Sequence, residues 1–584
     1  MSAPGGSSAS EARGPGIVPG WLARLCAPSR VLWLAPVLGF VLTLPSVFSG
    51  YMQDDHRSRQ STLERSIFPR RPAWDIFHGP DTDAEVARCR ERGIAQANWW
   101  TPDTTRSRFF RPLASLLLAF EFRFFGDSPW VMHVNRALLY ALIILVGACL
   151  LRRVSTAPVA FGIACLIYAI DDTHAYSSGW ISAANTLLAC LFGFFALLMH
   201  DRWRRDGSVA GLALSLAAFV LALLSSEGGL ALMGYLVAYA LFLEPDGWKR
   251  KVGSLLPATA IAVGYLAFYA TMGLGIKGSV DYLSPGENPL LTAFVVLSGT
   301  VTGTVSQLLS VMPLGWAFQT GVAATLVAAL LLTGLVVLFR RFLRSSRAVG
   351  FFGVGMVLSI LPFTVGMMSD RYLLWAGLGA AGLLGELFVV HPLTSKLQRA
   401  TAKTLLVTNT IVSLIFFVPT LFWLSMIERG IRAAEQTVTS ANTVVLNGHS
   451  IATGATAALR CEKGGVWPAH FYLLYEGVDP ITVTRTGDRT LLATTPKGWF
   501  SSSFFSRGAR PKELRFRPGQ RFELQLMTAT IAELTEDGRP LSVSFSFKEE
   551  LSAFDWYRWT LYGPRRMQPP ALGESIQASP WQRE

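Results

Sequence analysis

Long, uninterrupted apolar segments recur through most of this chain of 584 residues. The first, from Val31 to Gly50, is close to the ~20 residues that an α-helix needs to cross ~30 Å of hydrocarbon. Inside lipid every backbone polar group must be bonded within the protein, which leaves helices or closed barrels. Because the segments are continuously apolar instead of alternating, they exclude barrel strands. The sequence predicts a polytopic α-helical membrane bundle.

About eleven transmembrane helices are predicted. A further apolar run, 290–312, fits either a span or an interfacial or re-entrant helix. The second interpretation is preferred because it keeps the arginines of 340–347 on the inner side. The predicted spans are 31–50, 131–151, 156–170, 179–199, 209–225, 228–244, 253–273, 320–339, 348–368, 371–391 and 403–427.

The basic residues indicate orientation. The net charge is +13, but Lys and Arg lie between apolar segments instead of on one stripe, which argues against nucleic acid as a partner. Excess Lys and Arg mark cytoplasmic segments. With the N-terminus inside, most of them fall in inner segments, so 51–130 and 428–584 are predicted to lie outside. In a bacterium that side of the inner membrane faces the periplasm.

Three regions are predicted. Residues 1–30, rich in Gly, Ser, Pro and Ala, indicate a disordered cytoplasmic tail, and 31–427 form the transmembrane domain. Its large first outer loop, 51–130, contains a charged and apolar segment, Phe109–Phe125, that is typical of an interfacial helix. Residues 428–584 contain alternating strands and an Asp537-Gly538 hairpin turn, which predict an outside-facing β-sandwich-like domain.

Acidic residues concentrate at the outer ends of the predicted spans. Asp54, Asp55 and His56 follow the first span, Asp171, Asp172 and His174 separate the third from the fourth, and Glu227 separates two later spans. A carboxylate at the membrane surface can act on the head group of a lipid-borne substrate; the plainer interpretation is a solvated loop or a polar helix turn. Adjacent side chains in an extended segment point to opposite sides, so only one of the first two aspartates is expected to face a substrate.

Cations also lie beside apolar segments on the predicted outer face. Arg111, Lys277 and Arg371 can each bind a lipid phosphate or pair with a carboxylate, and snorkelling is the plainer interpretation. Arg371, with Tyr372, begins the tenth predicted span and is therefore held near the bilayer surface. It is the preferred candidate for a phosphate ligand.

Several short motifs follow one another along the chain. They are Asp54-Asp55, Phe110-Arg-Pro-Leu113, His133-Val-Asn135, His174, Gly179-Trp-Ile-Ser182, Ser226-Glu227-Gly228, Tyr282-Leu-Ser-Pro285 and Asp370-Arg-Tyr372. In this order they resemble the polyprenyl-phosphate-sugar-dependent membrane glycosyltransferases of the GT-C fold, particularly the tetratricopeptide-bearing O-mannosyltransferases and their bacterial relatives. The chain departs from that family at Tyr176, Ala184, Thr186 and Ser226, where the family carries Glu, Arg, Asp and Lys.

The resemblance implies transfer of a sugar, with inversion, from a polyprenyl-phosphate donor to a glycan, lipid or protein acceptor on the outer face. It implies Asp54 or Asp55 as the general base, since an acceptor hydroxyl gains about 10²- to 10⁴-fold from one. No cofactor is predicted, and a metal requirement is left open. The implied substrate-binding residues are His56, Arg111, His133, Asn135, Asp171, Asp172, His174, Glu227, Arg371 and Tyr372.

Two other functions fit the sequence. A transporter or lipid flippase would also carry acidic residues at span ends, but it predicts charges near the bilayer midplane and an internal repeat, and neither is seen. A catalytically silent relative would bind glycan or protein through its C-terminal domain. The aromatic residues there, such as Trp467, Trp499 and Trp556, either stack on sugars or fill the domain core.

Overall fold

The computed structural model describes residues 26–579 apart from 53, 64–65, 246, 279–288, 311–321, 367–368, 478, 501–514 and 561–562. Most of the predicted cytoplasmic tail, residues 1–25, lies outside the described residues. So does the Tyr282-Leu-Ser-Pro285 stretch of the resemblance.

Helices dominate the first three quarters of the chain. Prolines stand in the first turn of several of them, where the missing N–H has no helical partner in any case. The helices are α1 (Pro28–Thr43), α2 (Asp54–Gln60), α3 (Asp83–Glu91), α4 (Pro112–Phe125), α5 (Pro129–Val154), α6 (Pro158–Ile170), α7 (Thr173–Gly179), α8 (Ala184–Asp206), α9 (Val209–Ser225), α10 (Ala231–Phe242), α11 (Trp248–Thr271), α12 (Pro289–Leu309), α13 (Val322–Leu338), α14 (Arg340–Leu343), α15 (Arg347–Ile360), α16 (Leu373–Val389), α17 (Lys396–Val407), α18 (Ser413–Thr437) and, in the C-terminal region, α19 (Ser450–Glu462).

Within the described residues, seven helices are long and apolar enough to cross a membrane. Each predicted span coincides with one of these or with a shorter apolar helix, but the number eleven stays a prediction. Pro289–Leu309, predicted as interfacial or re-entrant, also meets the length and composition of a span, so the sides on which the termini lie stay predictions too. The seven are Pro28–Phe48, Pro129–Val154, Ile181–Asp206, Trp248–Thr271, Pro289–Leu309, Asp370–Val389 and Lys396–Thr437.

The segment predicted to be an interfacial helix is helical and two-sided. In α4, Leu116, Phe120 and Phe124 are exposed, whereas Leu118 and Glu121 on the other side are buried. An exposed apolar face opposite a buried face is what a helix at the edge of a membrane requires. Its position at the interface stays a prediction.

The C-terminal region contains two sheets. The strands are β3 (Thr443–Gly448), β4 (Phe471–Glu476), β5 (Ile481–Gly487), β6 (Thr490–Thr494), β7 (Arg521–Glu523), β8 (Met527–Leu534), β9 (Pro540–Phe547), β10 (Asp555–Thr560), β11 (Gly563–Met567) and β12 (Ser575–Ala578). Four of them form one sheet, in the order β11-β10-β3-β4, and six form the other, in the order β12-β5-β6-β9-β8-β7.

The strand pairing confirms one prediction and differs from another. β8 and β9 pair antiparallel around a turn in which Gly538 has φ +81°, as the Asp-Gly signal predicts. β3 and β4, however, run parallel and are connected by α19. Parallel neighbours need such a crossover. The domain therefore combines an antiparallel sheet with a βαβ unit, which is more than the predicted β-sandwich.

The large first loop, 51–130, which is predicted to lie outside, and the C-terminal domain share one apolar core. Trp99 and Trp100 of the loop are buried in the same cluster as Trp467, Trp499 and Trp556 of the domain. The indole N–H of Trp99 donates to the carbonyl of Leu474 at 3.0 Å. These tryptophans therefore fill the core instead of offering open faces to a sugar. The loop also contains β1 (Arg106–Arg108), which pairs antiparallel with β2 (Gly275–Lys277) after α11.

Candidate active site

Asp54 and Asp55 begin α2 and have different surroundings. Asp55 is fully buried, and its carboxylate accepts hydrogen bonds from the backbone N–H of Met52 at 2.9 Å and of Ser182 at 2.7 Å. Asp54 is half-buried and lines a small cleft together with Arg57 and residues of the first loop and α19. One acid fixes α2 to the bundle, and the other stays accessible.

Burial governs the ionisation of Asp55. Removal from water raises its pKa to about 7, although the two backbone N–H groups that donate to it, and the neighbouring His56, act in the opposite direction. Ser182 belongs to the Gly179-Trp-Ile-Ser182 stretch of the resemblance. Asp55 therefore joins the Asp54-Asp55 motif to the Gly179-Trp-Ile-Ser182 motif through the backbone N–H of Ser182.

Arg371 lies at the start of α16 among aromatic rings. Its Nη2 donates to the hydroxyl of Tyr372 at 2.5 Å, and its guanidinium lies over the rings of Tyr372 and Trp180, at 4.7 and 5.4 Å from their centroids. Its backbone carbonyl accepts a hydrogen bond from Ser177 at 2.9 Å. Aromatic faces attract a guanidinium without neutralising it, so the side chain is held in place with its charge retained.

Tyr176 is the residue on which the two ends of the site act together. Burial raises the pKa of its hydroxyl, the charge of Arg371 lowers it, and the charges of Asp54 and Asp370 raise it. Tyr176 packs against the apolar cluster that contains Met52 and Trp180, and its ring centroid lies 5.6 Å from that of Trp180, over which the Arg371 guanidinium lies. Tyr176 therefore connects the segment that leads into Asp54 with the segment of Arg371, more than three hundred residues later.

Arg111 is engaged by Glu227. Its Nε donates to a Glu227 oxygen at 2.9 Å and its Nη2 to the other, while its guanidinium lies over the rings of Phe77 and Phe109. The sequence leaves a lipid phosphate or a carboxylate as the partner of Arg111, and in the structure its partner is the carboxylate of Glu227. The charge of Arg371 acts on Glu227 as well, so the pair borders the Arg371 region.

His56 faces away from Asp54. It is buried, and its Nε2 lies 3.0 Å from an oxygen of Glu428 on α18. His133 and Asn135 are also committed to packing: His133 Nε2 is 2.8 Å from the carbonyl of Gly50, and Asn135 donates to Glu121. His56 and Asn135 each join two helices, and His133 joins α5 to the segment before α2, while the substrate-binding roles that the resemblance implies stay predictions.

Asp171, Asp172 and His174 occupy a separate network. Asp171 accepts a hydrogen bond from Gln307 at 2.6 Å, and Asp172 accepts from Ser310 and Ser413, each at 2.8 Å. The sequence predicts that they form an outer turn facing the same cavity as Asp54, and that placement stays a prediction.

His174 belongs to the same network as Asp171. Its Nδ1 is 3.0 Å from the hydroxyl of Tyr140, its Nε2 is 3.6 Å from Asp171, and it is fully buried. A Cβ on Gly377 of α16 would come within 2.6 Å of the Nε2. The histidine is therefore enclosed between α7 and α16. None of these neighbours lines the cleft of Asp54.

Sequence reasoning missed several residues of this region. Arg57 lies one helical turn after Asp54 and lines the same cleft, and the i, i+3 spacing was a usable signal. For Gln307 the only signal in the sequence was the presence of Ser and Thr in an otherwise apolar segment. For Glu428 it was the position directly after the last predicted span. Within the described residues, no group of three His, Cys, Asp or Glu side chains could hold a metal ion.

No protein-family model matches the chain. It is 26% identical over 200 residues to Protein O-mannosyl-transferase TMTC1 of Homo sapiens, covering 32% of this chain and 22% of that protein. The Mus musculus protein of the same name is 25% identical over 206 residues, covering 32% and 21%. The chain thus matches about a fifth of the length of these curated relatives.

Two solved structures align with this chain at low similarity. ArnT from Cupriavidus metallidurans, bound to undecaprenyl phosphate, is 14% identical with a TM-score of 0.37, over 73% of this chain and 84% of that one. The oligosaccharyltransferase of Archaeoglobus fulgidus is 14% identical with a TM-score of 0.40, over 76% and 64%. The chain resembles membrane glycosyltransferases of the GT-C type, as its motifs predicted. At these low TM-scores the structural likeness adds no evidence on the reaction.

Proposed function

We propose that this protein is a glycosyltransferase that moves a sugar from a polyprenyl-phosphate donor to an acceptor on the non-cytoplasmic face of the membrane. One observation supports it most: Tyr176 packs beside Met52, two residues before Asp54, and beside Trp180, over which the Arg371 guanidinium lies, so Asp54 and Arg371 border one aromatic cluster. They are the two charges that such a transfer needs, one on each side of a reacting sugar. The similarity to O-mannosyltransferases supports the proposed reaction class.

The proposed roles follow from the chemistry of the bond that breaks. A sugar phosphate has a stable anionic leaving group, so the transferase needs a cation at the phosphate more than a strong general acid. Arg371 takes that role, because its guanidinium matches phosphate oxygens in charge and geometry. The pair of Arg111 and Glu227 borders it and holds the first loop against the helix bundle.

Asp54 is the proposed general base. An acceptor hydroxyl attacks the anomeric carbon as its proton passes to the Asp54 carboxylate, and the bond from that carbon to the phosphate oxygen breaks. A single displacement of this kind inverts the anomeric centre. Asp55 is a positioning residue in this scheme, since both of its bonds to Met52 and Ser182 are internal.

Transfer from labelled polyprenyl-phosphate sugars in membranes tests the proposal. Asp54→Asn is expected to lower transfer by about 10²- to 10⁴-fold, the usual contribution of a general base. Arg371→Ala is expected to weaken both binding and turnover of the donor. Matched controls are Asp83→Asn, an exposed acid on α3, and Arg489→Ala, an exposed arginine of the C-terminal domain. Full transfer by Asp54→Asn would remove the base and with it the proposed mechanism.

A further inference from the structure

A groove of about 940 Å³ opens between α3 of the first outer loop and the C-terminal domain. It is separate from the cleft of Asp54 and plays no part in the mechanism above. Its lining contains arginines on one wall and aromatic and polar residues on the other, among them Arg88, Arg90, Arg92, Trp467, His470 and Gln525.

The two walls are fixed to each other by Glu91. Its carboxylate accepts hydrogen bonds from the hydroxyl of Tyr472 at 2.8 Å and from the backbone N–H of Gln525 at 2.7 Å, and His470 Nδ1 lies 3.3 Å away. The indole N–H of Trp467 donates to the carbonyl of Arg92 at 2.9 Å. The groove therefore keeps its shape without a ligand, which lowers the entropic cost of binding one.

The remaining charges of the groove are mostly positive. Glu91 of the α3 wall is already bonded to the domain wall, and Glu523 is the other acid of the lining. The lining also contains three arginines. Arg90 pairs with the exposed Asp103, whereas Arg88 is exposed and, over the described parts of the chain, enters no recorded ion pair. The shielded Nε of Arg92 likewise has no hydrogen-bond partner there. Guanidinium groups in this state favour carboxylate or phosphate ligands.

A short segment leads from the groove to the proposed base. Arg92 lines the groove, and Ala95 and Gln96 line the cleft of Asp54. Four residues span at most about 14 Å. Ala95 and Gln96 have φ of +55° and +60°, a conformation that costs non-glycine residues about 1–3 kcal/mol each and that clusters at functional sites. A chain bound in the groove is thus within reach of Asp54.

We propose that this groove binds the acceptor and that the acceptor is an acidic glycan, with carboxylate or phosphate groups on its sugars. The inference rests on the proposed function for its role in transfer, but not for binding itself. A glycan fits better than an extended acidic peptide, because the backbone N–H of Gln525 next to strand β7 is already bonded to Glu91. Recognition is left to side chains, with the arginines of α3 binding the charges.

Direct binding tests the groove without any transfer reaction. The full chain in nanodiscs is titrated with a fluorescent oligogalacturonate, a neutral cello-oligosaccharide of equal length and an oligoglutamate peptide, with fluorescence anisotropy as the readout. We expect the oligogalacturonate to bind best and Arg88→Glu to weaken it about tenfold or more, because an attraction becomes a repulsion. Arg489→Glu, an exposed arginine elsewhere in the domain, is the matched control and is expected to change nothing.

Donor hydrolysis separates this inference from the proposed function. Release of labelled sugar to water needs the donor site alone, so Arg88→Glu is expected to leave it unchanged while transfer to the acidic glycan falls. Equal binding of the neutral or peptide probe, or no effect of Arg88→Glu, overturns the acidic-glycan groove even where the donor is hydrolysed. Selective binding of the acidic probe with no donor turnover overturns the transferase proposal and leaves the groove standing.

Discussion

His56 Nε2 lies 3.0 Å from a carboxylate oxygen of Glu428, and the two side chains are only 1% and 3% exposed. The contact joins α2, which carries Asp54, to α18, the last helix before the C-terminal domain. Arg432 donates to the other oxygen of Glu428 at 2.8 Å. Arg59 of α2 reaches Glu462 at the end of α19 at 3.2 Å. The proposed base is therefore positioned by the last transmembrane helix and the C-terminal domain together.

Replacement of Glu428 tests this link. Glu428→Ala leaves His56 buried without its partner, and we expect a loss of about 3 kcal/mol of stability, seen as a lower melting temperature of the purified protein. Arg432→Ala removes the half-exposed partner of the same carboxylate and is expected to cost at most about 1 kcal/mol. Equal effects of the two changes would contradict a buried coupling between His56 and Glu428.

The pair of Arg111 and Glu227 is tested by a double-mutant cycle. Arg111→Met or Glu227→Leu alone leaves one half-buried charge without its partner, so each is expected to cost about 1–3 kcal/mol. The double variant is expected to lose much less than the sum, with a coupling above about 1 kcal/mol. Additive losses in melting experiments would show that the pair does not contribute as a unit.

Prediction from the sequence succeeded where the signal is local. A run of apolar residues marks each membrane helix, and Asp537-Gly538 marks the β8–β9 turn, because both depend on neighbouring residues only. β3 pairs in parallel with β4 across the α19 crossover, and it pairs in parallel with β10, where Thr443 lies beside Asp555, over a hundred positions away. Strand order of that kind leaves no local pattern, and the sandwich prediction missed it.

The candidate site follows the same division. The sequence argument for opposite orientations of Asp54 and Asp55 assumes an extended segment, whereas both begin α2, where neighbouring side chains lie about 100° apart. The burial of Asp55 depends on Ser182, which is distant in sequence. Gln307 and Ser413, which bond to Asp171 and Asp172, are also distant in sequence and leave no local signal. Arg111 could have paired with a phosphate or with Glu227, and only the fold brings Glu227 within 2.9 Å.

The buried carboxyl of Asp55 makes stability depend on pH. Its folded pKa of about 7 lies above the ~3.9 of an unfolded aspartate. Between those values the folded protein keeps a proton that the unfolded chain has lost. Stability therefore falls as pH rises, by up to about 1.4 kcal/mol per pH unit, and levels off above about pH 7.

Asp55→Asn cannot titrate and reveals this contribution. We expect the melting temperature of the wild type, relative to that of the variant, to fall between about pH 5 and pH 7. Asp83→Asn, at a site whose side chain is 73% exposed, is the control, and its difference from the wild type is expected to stay flat over the same range. A flat difference for Asp55→Asn would mean that Asp55 is ionised throughout.

Gly93 tests whether the first outer loop must dock tightly on the C-terminal domain. It has φ +58°, and a Cβ there would lie 2.7 Å from Cδ1 and 3.0 Å from the carbonyl oxygen of Phe471. Gly464 has φ +78° with nothing within 4 Å of such a Cβ. Gly464→Ala therefore carries backbone strain alone, about 1 kcal/mol, whereas Gly93→Ala adds a clash with a strand.

We expect Gly93→Ala to lower the melting temperature clearly more than Gly464→Ala and to open the loop near Trp99 to limited proteolysis. Transfer activity is expected to fall as well, because the segment after Gly93 lines the cleft of Asp54. Similar behaviour of the two variants would mean that strain at one glycine accounts for both, and that the contact between loop and domain tolerates a methyl group. In that case the C-terminal domain would not hold the proposed base in place through this segment.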